Sequence, residues 1–339
     1  MKSIVLPPLS LLYGAVTRTR LSLYRRGTFQ STKLDRPVIS IGNITTGGTG
    51  KTPLVEYVAK MIASQGKRVC ILTRGYGRKD PHVQVIVSDG YGVLASPSEA
   101  GDEPYLLATK LAGKAAVISS ADRIAAAQEA IKDFGTEVFV LDDGFQHLRL
   151  ARDLNIVCID ATNPWGGGRL LPYGRLRESL EGMSRADCVV LTRCDQVESV
   201  DGLRDEVVRL IGGRPIFESR MRPVRLVSLK NGPEMIAVPG RVGAFCAVGN
   251  PSSFFESLRQ LGYELGLERA FADHHAYSQS DVDELNQLAK QTGAMALVTT
   301  AKDAVKLKGM AFSLPCYVLE IEINFNDAEG FGRLLVEAL

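Results

Sequence analysis

The run Thr45-Thr46-Gly47-Gly48-Thr49-Gly50-Lys51-Thr52 follows the apolar stretch Pro37 to Ile41 and precedes a periodic segment, Leu54, Val55, Val58, Ala59, Met61 and Ile62. A glycine-rich turn between a strand and a helix constrains this chain more than any other feature. It specifies a βα unit whose consecutive backbone N–H groups converge on an anion, at a helix end that carries partial positive charge. Such a loop cradles phosphate: Lys51 reaches the β/γ-phosphates and the Thr52 hydroxyl holds Mg²⁺. Pro53 falls in the first helical turn, where its missing N–H has no intrahelical partner. One position departs from the usual G-x-x-x-x-G-K-[ST] pattern, because Thr45 stands where the first glycine belongs.

At 339 residues and 45% hydrophobic content the chain is long enough for two packed domains, and it lacks the composition of disorder. A formal charge of only +2, with Lys and Arg spread along the chain, gives no basic stripe, so nucleic acid is not an expected partner. Six cysteines without a C-x-x-C pair sit mostly in apolar runs, which argues for small core residues in a reducing compartment rather than zinc sites or disulfides.

The N-terminus is apolar at Ile4, Val5, Leu6, Leu9, Leu11, Leu12, Tyr13 and Val16, then basic at Arg18, Arg20, Arg25 and Arg26. It is too short and too interrupted to span a bilayer, and its charge order does not fit a signal peptide. Positions 9, 12, 13, 16 and 23 share a helical face, which fits an interfacial membrane helix with arginines at anionic headgroups. The competing reading packs that face onto the domain behind it.

Beyond the loop, strand and helix patterns alternate, with continuous apolar strands at 68–73, 115–119, 137–141, 154–160 and 187–192. The expected fold class is α/β: a P-loop NTPase-like, doubly wound, mostly parallel sheet with ligands at the strand carboxyl ends. At Pro223 the character shifts; 224–229 and 235–238 around Asn231-Gly232 read as a two-stranded linker, followed by a second, smaller α/β domain. The boundaries read as an interfacial helix over 1–30, a P-loop kinase domain over 31–222, a hinge over 223–240 and the smaller domain over 241–339.

Three acidic clusters carry chemistry. Asp142-Asp143 ends an apolar strand and suits Mg²⁺ or its waters, with Asp142 first and Asp143 in the neighbouring shell. Asp102-Glu103 precedes a helix, where acids also sit for purely electrostatic reasons. Asp273-His274-His275 leads into an expected capping box from Ser280 to Asp283 and supplies imidazole beside carboxylate, either as proton partner or as a capping loop. Arg74 to Arg78 (RGYGR) follows a strand end and is suited to phosphate. Thr192-Arg193-Cys194-Asp195 resembles a loop by which GTPases read guanine. A metallochaperone-type GTPase or nucleotide switch is therefore the alternative, and a DHH phosphoesterase a weaker one, since further aspartate ligands are missing near 273.

Taken together, TTGGTGKT, RGYGR, GDEP, DDGFQH, Leu176-Arg177-Glu178, the DHH at 273–275 and TTAKDAVK from Thr299 to Lys306 resemble the tetraacyldisaccharide 4'-kinase family, in order over about 36–310. The resemblance implies phosphorylation of the 4'-hydroxyl of a tetraacyldisaccharide 1-phosphate in lipid A biosynthesis, with ATP and Mg²⁺, peripherally on the cytoplasmic side of the inner membrane. It implies Asp102 as the base, His274 as its dyad partner, and Glu103, Asp142 and Asp143 in the metal region with Thr52. Lys302 and Asp303 match a motif tied to the nucleotide or the closed state, and His147 and Glu178 match motif positions without an assigned role. The variant loop at Thr45 is usual in that family, and a monomer is expected.

Overall fold

The computed structural model describes residues 2–230 and 240–339, with side chains from Leu6 onward. Helix α1 (Lys2–Arg25) leads to β1 (Val38–Gly42), α2 (Lys51–Ser64), β2 (Val69–Thr73) and β3 (Val85–Asp89). Next come α3 (Pro97–Ala100), α4 (Asp102–Lys110), β4 (Ala115–Ser119), α5 (Arg123–Phe134), β5 (Val138–Asp142), β6 (Leu154–Asp160), β7 (Cys188–Thr192) and α6 (Asp201–Ile211). Strand β8 (Ile216–Ser228) crosses to β9 (Val242–Cys246), α7 (Pro251–Gln260), β10 (Leu265–Ala270), α8 (Gln279–Gln291) and β11 (Ala296–Thr300). The chain ends with α9 (Ala301–Leu307), β12 (Cys316–Phe325) and α10 (Ala328–Glu337).

All strands join in one 12-stranded sheet of order β10-β9-β11-β12-β8-β7-β6-β1-β5-β2-β4-β3. Its pairs are parallel except β3 with β4 and β8 with β12. Strands β1, β2, β4, β5 and β7 are buried at every residue, which is why they read as unbroken apolar runs. Alternate side chains serve opposite faces. Ile39, Ile71 and Val140 meet Leu54, Val55 and Val58 of α2, while Val38, Cys70 and Phe139 meet Ala126, Ala127 and Ala130 of α5. Helix α5 is set by Asp122, whose carboxylate accepts from the N–H groups of Ile124 and Ala125, and is stopped by Gly135 at φ 60°. The doubly wound, mostly parallel α/β architecture expected from the sequence is therefore present.

The connection between the two halves differs in detail from the sequence reading. Strand β8 pairs in parallel with β7 at its start and antiparallel with β12 along most of its length, so the two linking strands are β8 and β12. The expected partner strand at 235–238 lies outside the described residues. The pairing carries the chain back: Phe331 and Leu335 of α10 join the core of α2, and Phe331 stacks on Phe325 at 4.4 Å. The last helix thus packs on the first half rather than within the smaller one, because β12 is ten residues long and delivers it there. Strand β10 went unassigned because it is a half-exposed edge strand carrying Glu268 and Arg269. The cap of α8 is Ser278, not Ser280: Asp281 N–H donates to Ser278 Oγ at 3.2 Å and Ser278 N–H to Asp281 Oδ2 at 2.7 Å.

Candidate active site

The phosphate loop joins β1 to α2 with Lys51 as the first helical residue. Gly50 caps the helix at φ 81°, and a Cβ there would lie 2.8 Å from Met221 Cε and 3.2 Å from Thr192 Cγ2, so both backbone angle and space require glycine. Thr192 Oγ1 donates to Thr49 O at 3.0 Å and Asn43 Nδ2 to Thr49 Oγ1 at 2.8 Å, tying the loop to the ends of β7 and β1. Thr45 forms an antiparallel bridge with Leu176. Its extended backbone needs no glycine, which accounts for the departure from the usual motif. Arg175 seats over Thr46, receiving Thr46 N–H at its carbonyl (2.7 Å) and donating Nε to Thr46 O (3.0 Å).

At the carboxyl end of β5, Asp142 is buried and accepts from Thr73 Oγ1 at 3.0 Å. Burial, with Glu103 and Asp143 nearby, raises its carboxyl to about 6. A buried carboxylate short of positive charge fits a cation, and Thr52 stands on the loop beside it. Among the described residues no three His, Cys, Asp or Glu side chains form a metal cluster. A Mg²⁺ held by one carboxylate, a hydroxyl, phosphates and waters needs none. Asp143, at φ 53°, faces Lys51 Nζ at 3.4 Å and Arg177 Nη1 at 2.6 Å. Burial works against its charge, but Lys51 and Arg177 outweigh it and hold the carboxyl at about 2.

The smaller half completes the site. His274 Nδ1 lies 3.4 Å from Asp102 Oδ2, a contact between residues 172 apart in sequence. His274 adopts φ 62°, left-handed backbone that a non-glycine residue takes at a cost, and such outliers gather at functional loops. Lys302 Nζ reaches Glu103 Oε1 at 2.9 Å, Asp273 Oδ1 at 3.2 Å and His274 Nε2 at 3.3 Å. Lys306 Nζ sits 3.6 Å from Asp102 Oδ2 and 3.6 Å from Asp303 Oδ1. Burial disfavours the Asp102 charge, yet the His274 hydrogen bond and the Lys306 and Lys302 charges prevail, leaving its carboxyl below the usual range. Asp303 is wholly buried and accepts from Ala247 N–H at 3.0 Å and Thr300 Oγ1 at 2.7 Å, so it braces α9 rather than reaching outward.

His147 and Glu178 are wired into the walls. Arg123 Nη1 lies 3.3 Å from His147 Nδ1, and burial with Arg123, Arg152, Arg149 and Arg20 lowers the imidazole to about 4. Glu178 binds Arg185 at 2.8 Å and Gln146 at 2.8 Å. Asp195, the candidate guanine reader, lies in the short turn Cys194–Gln196, and its neighbour Arg193 is paired with Asp160. Sequence reasoning missed Gly249 and Asn250. A Cβ on Gly249 would lie 3.0 Å from Gly47 Cα, and Asn250 Nδ2 donates to Asp160 Oδ2 at 3.0 Å and Thr162 Oγ1 at 3.2 Å. The glycine-asparagine pair before the Pro251 helix start was its available signal. Between these residues and the phosphate loop lies a cavity of about 390 Å³. His275 faces Asp281 at 3.3 Å and stays outside the cluster.

Helix α1 runs through Pro7 and Pro8. It seats Ser10 and Gly14 on the core, with Ser10 Oγ donating to Leu170 O and Tyr13 Oη to Arg177 O, each at 2.8 Å. Leu9, Leu11, Leu12 and Val16 are exposed, whereas Tyr13, expected on the same face, turns to the protein. Among the described residues no helix is long and apolar enough to cross a membrane.

The chain was compared with known proteins. The sequence profile described as LpxK, tetraacyldisaccharide-1-P 4'-kinase, matches residues 2–339. A tetraacyldisaccharide 4'-kinase of Geobacter sulfurreducens is 42% identical over 92% of this chain and 87% of its own length. That of Desulfotalea psychrophila is 39% identical over 91% and 89%. A crystal structure of LpxK from Aquifex aeolicus in complex with ATP superposes with TM-score 0.77 at 34% identity, covering 98% of this chain and 97% of that one. A phosphate loop, a cross-domain carboxylate and imidazole, and similarity along the whole length agree: this chain belongs to the tetraacyldisaccharide-1-P 4'-kinase family and is a kinase.

Proposed function

We propose that the chain transfers the γ-phosphoryl group of ATP to the 4'-hydroxyl of a tetraacyldisaccharide 1-phosphate, with Asp102 as the group that accepts the hydroxyl proton. The observation that carries this reading is the approach of His274 to Asp102 across the two halves. A sugar hydroxyl is a weak nucleophile at neutral pH, so transfer needs a placed proton acceptor and dense positive charge at the γ-phosphate. Asp102 is ionised at neutral pH, since its carboxyl lies below the usual range. It orients the hydroxyl first and takes its proton as the new P–O bond forms and the bond to ADP breaks. His274 holds the carboxylate through Oδ2. Lys51 meets the transferring phosphoryl and leaves Asp143 when ATP arrives.

The backbone of Thr45 to Thr52 cradles the phosphates. The cavity beside it, walled by Asp160, Thr162 and Asn250, is of a size for the nucleoside, within the roughly 300–1,000 Å³ usual for ligand sites. Thr52 and Asp142 would hold Mg²⁺, with Asp143 and Glu103 in outer positions; the ion would neutralise charge on the β/γ-phosphate oxygens. The exposed Leu9, Leu11, Leu12 and Val16, with Arg18, Arg20, Arg25 and Arg26 following, support peripheral seating of α1 on the cytoplasmic side of the inner membrane. The alternative GTPase reading gains no support from the site, because Arg193 and Asp160 are committed to each other.

The test is incubation of the full chain with labelled ATP and the lipid disaccharide in mixed micelles, with the product phosphate mapped. Label at the 4' position is the expected result; ATP turnover without a lipid product would refute it. A chain lacking residues 1–25 should sediment less with anionic vesicles than the full chain, and equal sedimentation would refute the interfacial role of α1.

A further inference from the structure

Lys302 is 14% exposed at its side chain and its ammonium meets three partners: Glu103 from α4, Asp273 from the loop before α8, and Nε2 of His274. An ammonium has three N–H donors and no lone pair. All three donors are therefore used, and the contact at Nε2 requires the imidazole to offer a lone pair there. The ring proton must then lie on Nδ1, the nitrogen 3.4 Å from Asp102 Oδ2. The other groups around the ring are Glu103 and Asp102 from α4, Lys306 from the same helix as Lys302, Asp273 from its own loop and the ring of Tyr76 at 5.7 Å between centroids. None of these other groups has a recorded contact with Nε2 as close as that of Lys302, the nearest being Asp273 Oδ1 at 3.9 Å.

We propose that Lys302 is a positioning residue that sets the tautomer of His274, fixing its ring proton on Nδ1 so that it is donated to Asp102. This rests on the dyad reading above. Two consequences follow for the reaction. The Asp102 carboxylate is engaged at Oδ2 by His274 and Lys306, which leaves Oδ1 to face the acceptor hydroxyl. With Nε2 covered, His274 does not pass the hydroxyl proton onward while Lys302 is docked. The proton remains on Asp102 until the halves separate. Because Glu103 lies on α4 and Lys302 on α9, the same ammonium that sets the tautomer also joins the two halves, so the dyad is correctly protonated only when they are closed.

The test uses full-length protein labelled with ¹⁵N-histidine and two-bond ¹H–¹⁵N spectra, with His274 assigned by His274→Gln. The expected wild-type spectrum is a single neutral Nδ1–H tautomer at His274. Lys302→Met should shift it toward Nε2–H, while His147 signals stay in place as a check on folding. The same variant should lose on the order of 10–100-fold in kcat, the usual effect of removing an outer partner that orients a functional imidazole, with KM for ATP little changed. Lys302→Arg, still a donor without a lone pair, should recover the Nδ1–H form. A wild-type Nε2–H tautomer, or identical His274 signals in Lys302→Met, would overturn the proposal. The spectra need no substrate, so that result is separable from failure of the dyad itself, which full activity of Asp102→Ala would reveal.

Discussion

Gly249→Ala isolates the contact between the two halves. Its backbone is not in the left-handed region, so alanine brings no angular strain, and the effect is steric alone. The new Cβ would meet Gly47 Cα at 3.0 Å and Gly47 C at 3.1 Å, against an ordinary contact of about 3.4 Å or more, and both are backbone atoms that cannot rotate away. The loop carrying Asn250 must therefore withdraw by roughly half an ångström to one ångström. Misplacement on that scale in a site that depends on orientation costs on the order of 10²-fold. Stability should move little, since Gly→Ala narrows the unfolded ensemble by about 0.4–1 kcal/mol and offsets the strain relieved by withdrawal. The assay is kcat/KM for ATP with a saturating lipid acceptor, beside a urea unfolding curve of the same preparation. A fall near 10² with an intact curve is expected. Unaltered kcat/KM would refute the idea that close seating of Gly249 on the phosphate loop assembles the site.

Other perturbations test separate links. Asp102→Ala should lose roughly 10²–10⁴ in kcat with modest change in ATP affinity, measured by steady-state kinetics and calorimetry. Asp142 has its carboxyl raised to about 6, so the apo protein is destabilised by its charge as pH rises through that value. Asp142→Asn should then raise the unfolding midpoint of metal-free protein at pH 8 by about 1–3 kcal/mol and abolish the extra stabilisation given by Mg²⁺ with ATP. His147 is depressed from 6.5 to about 4, so its contribution is full above 6.5 and is lost as pH falls through 4. In His147→Gln, urea midpoints between those values should depend less on pH; an unchanged slope would refute the buried neutral imidazole. Phe331→Ala should cost about 3–5 kcal/mol, because it empties a buried site between Phe325 and Phe217, and a loss below 1 kcal/mol in urea unfolding would show that α10 is not part of that core.

Much of this was legible in the residue order. The phosphate loop, the Asp142-Asp143 strand end and the buried strands are local features, each written in a few consecutive residues whose backbone demands are met by their neighbours. Glycine at 50, proline at 53 and unbroken apolar runs of five announce themselves because strand and helix periods are short. Strand β10 and the Ser278 cap were missed for the same reason in reverse, since exposed edges and competing serines carry weak local signals.

What the sequence determined by itself was the kind of ligand and the face of the sheet that receives it, because phosphate recognition uses backbone N–H groups that one short segment can supply. Only the tertiary structure decided how the distant segments meet. It placed Lys302 against His274, Lys306 against Asp102, Gly249 against Gly47, and α10 on the first half through the pairing of β12 with β8. Those contacts join residues far apart along the chain, and their strength depends on burial and three-dimensional distance, neither of which any local pattern of side chains encodes.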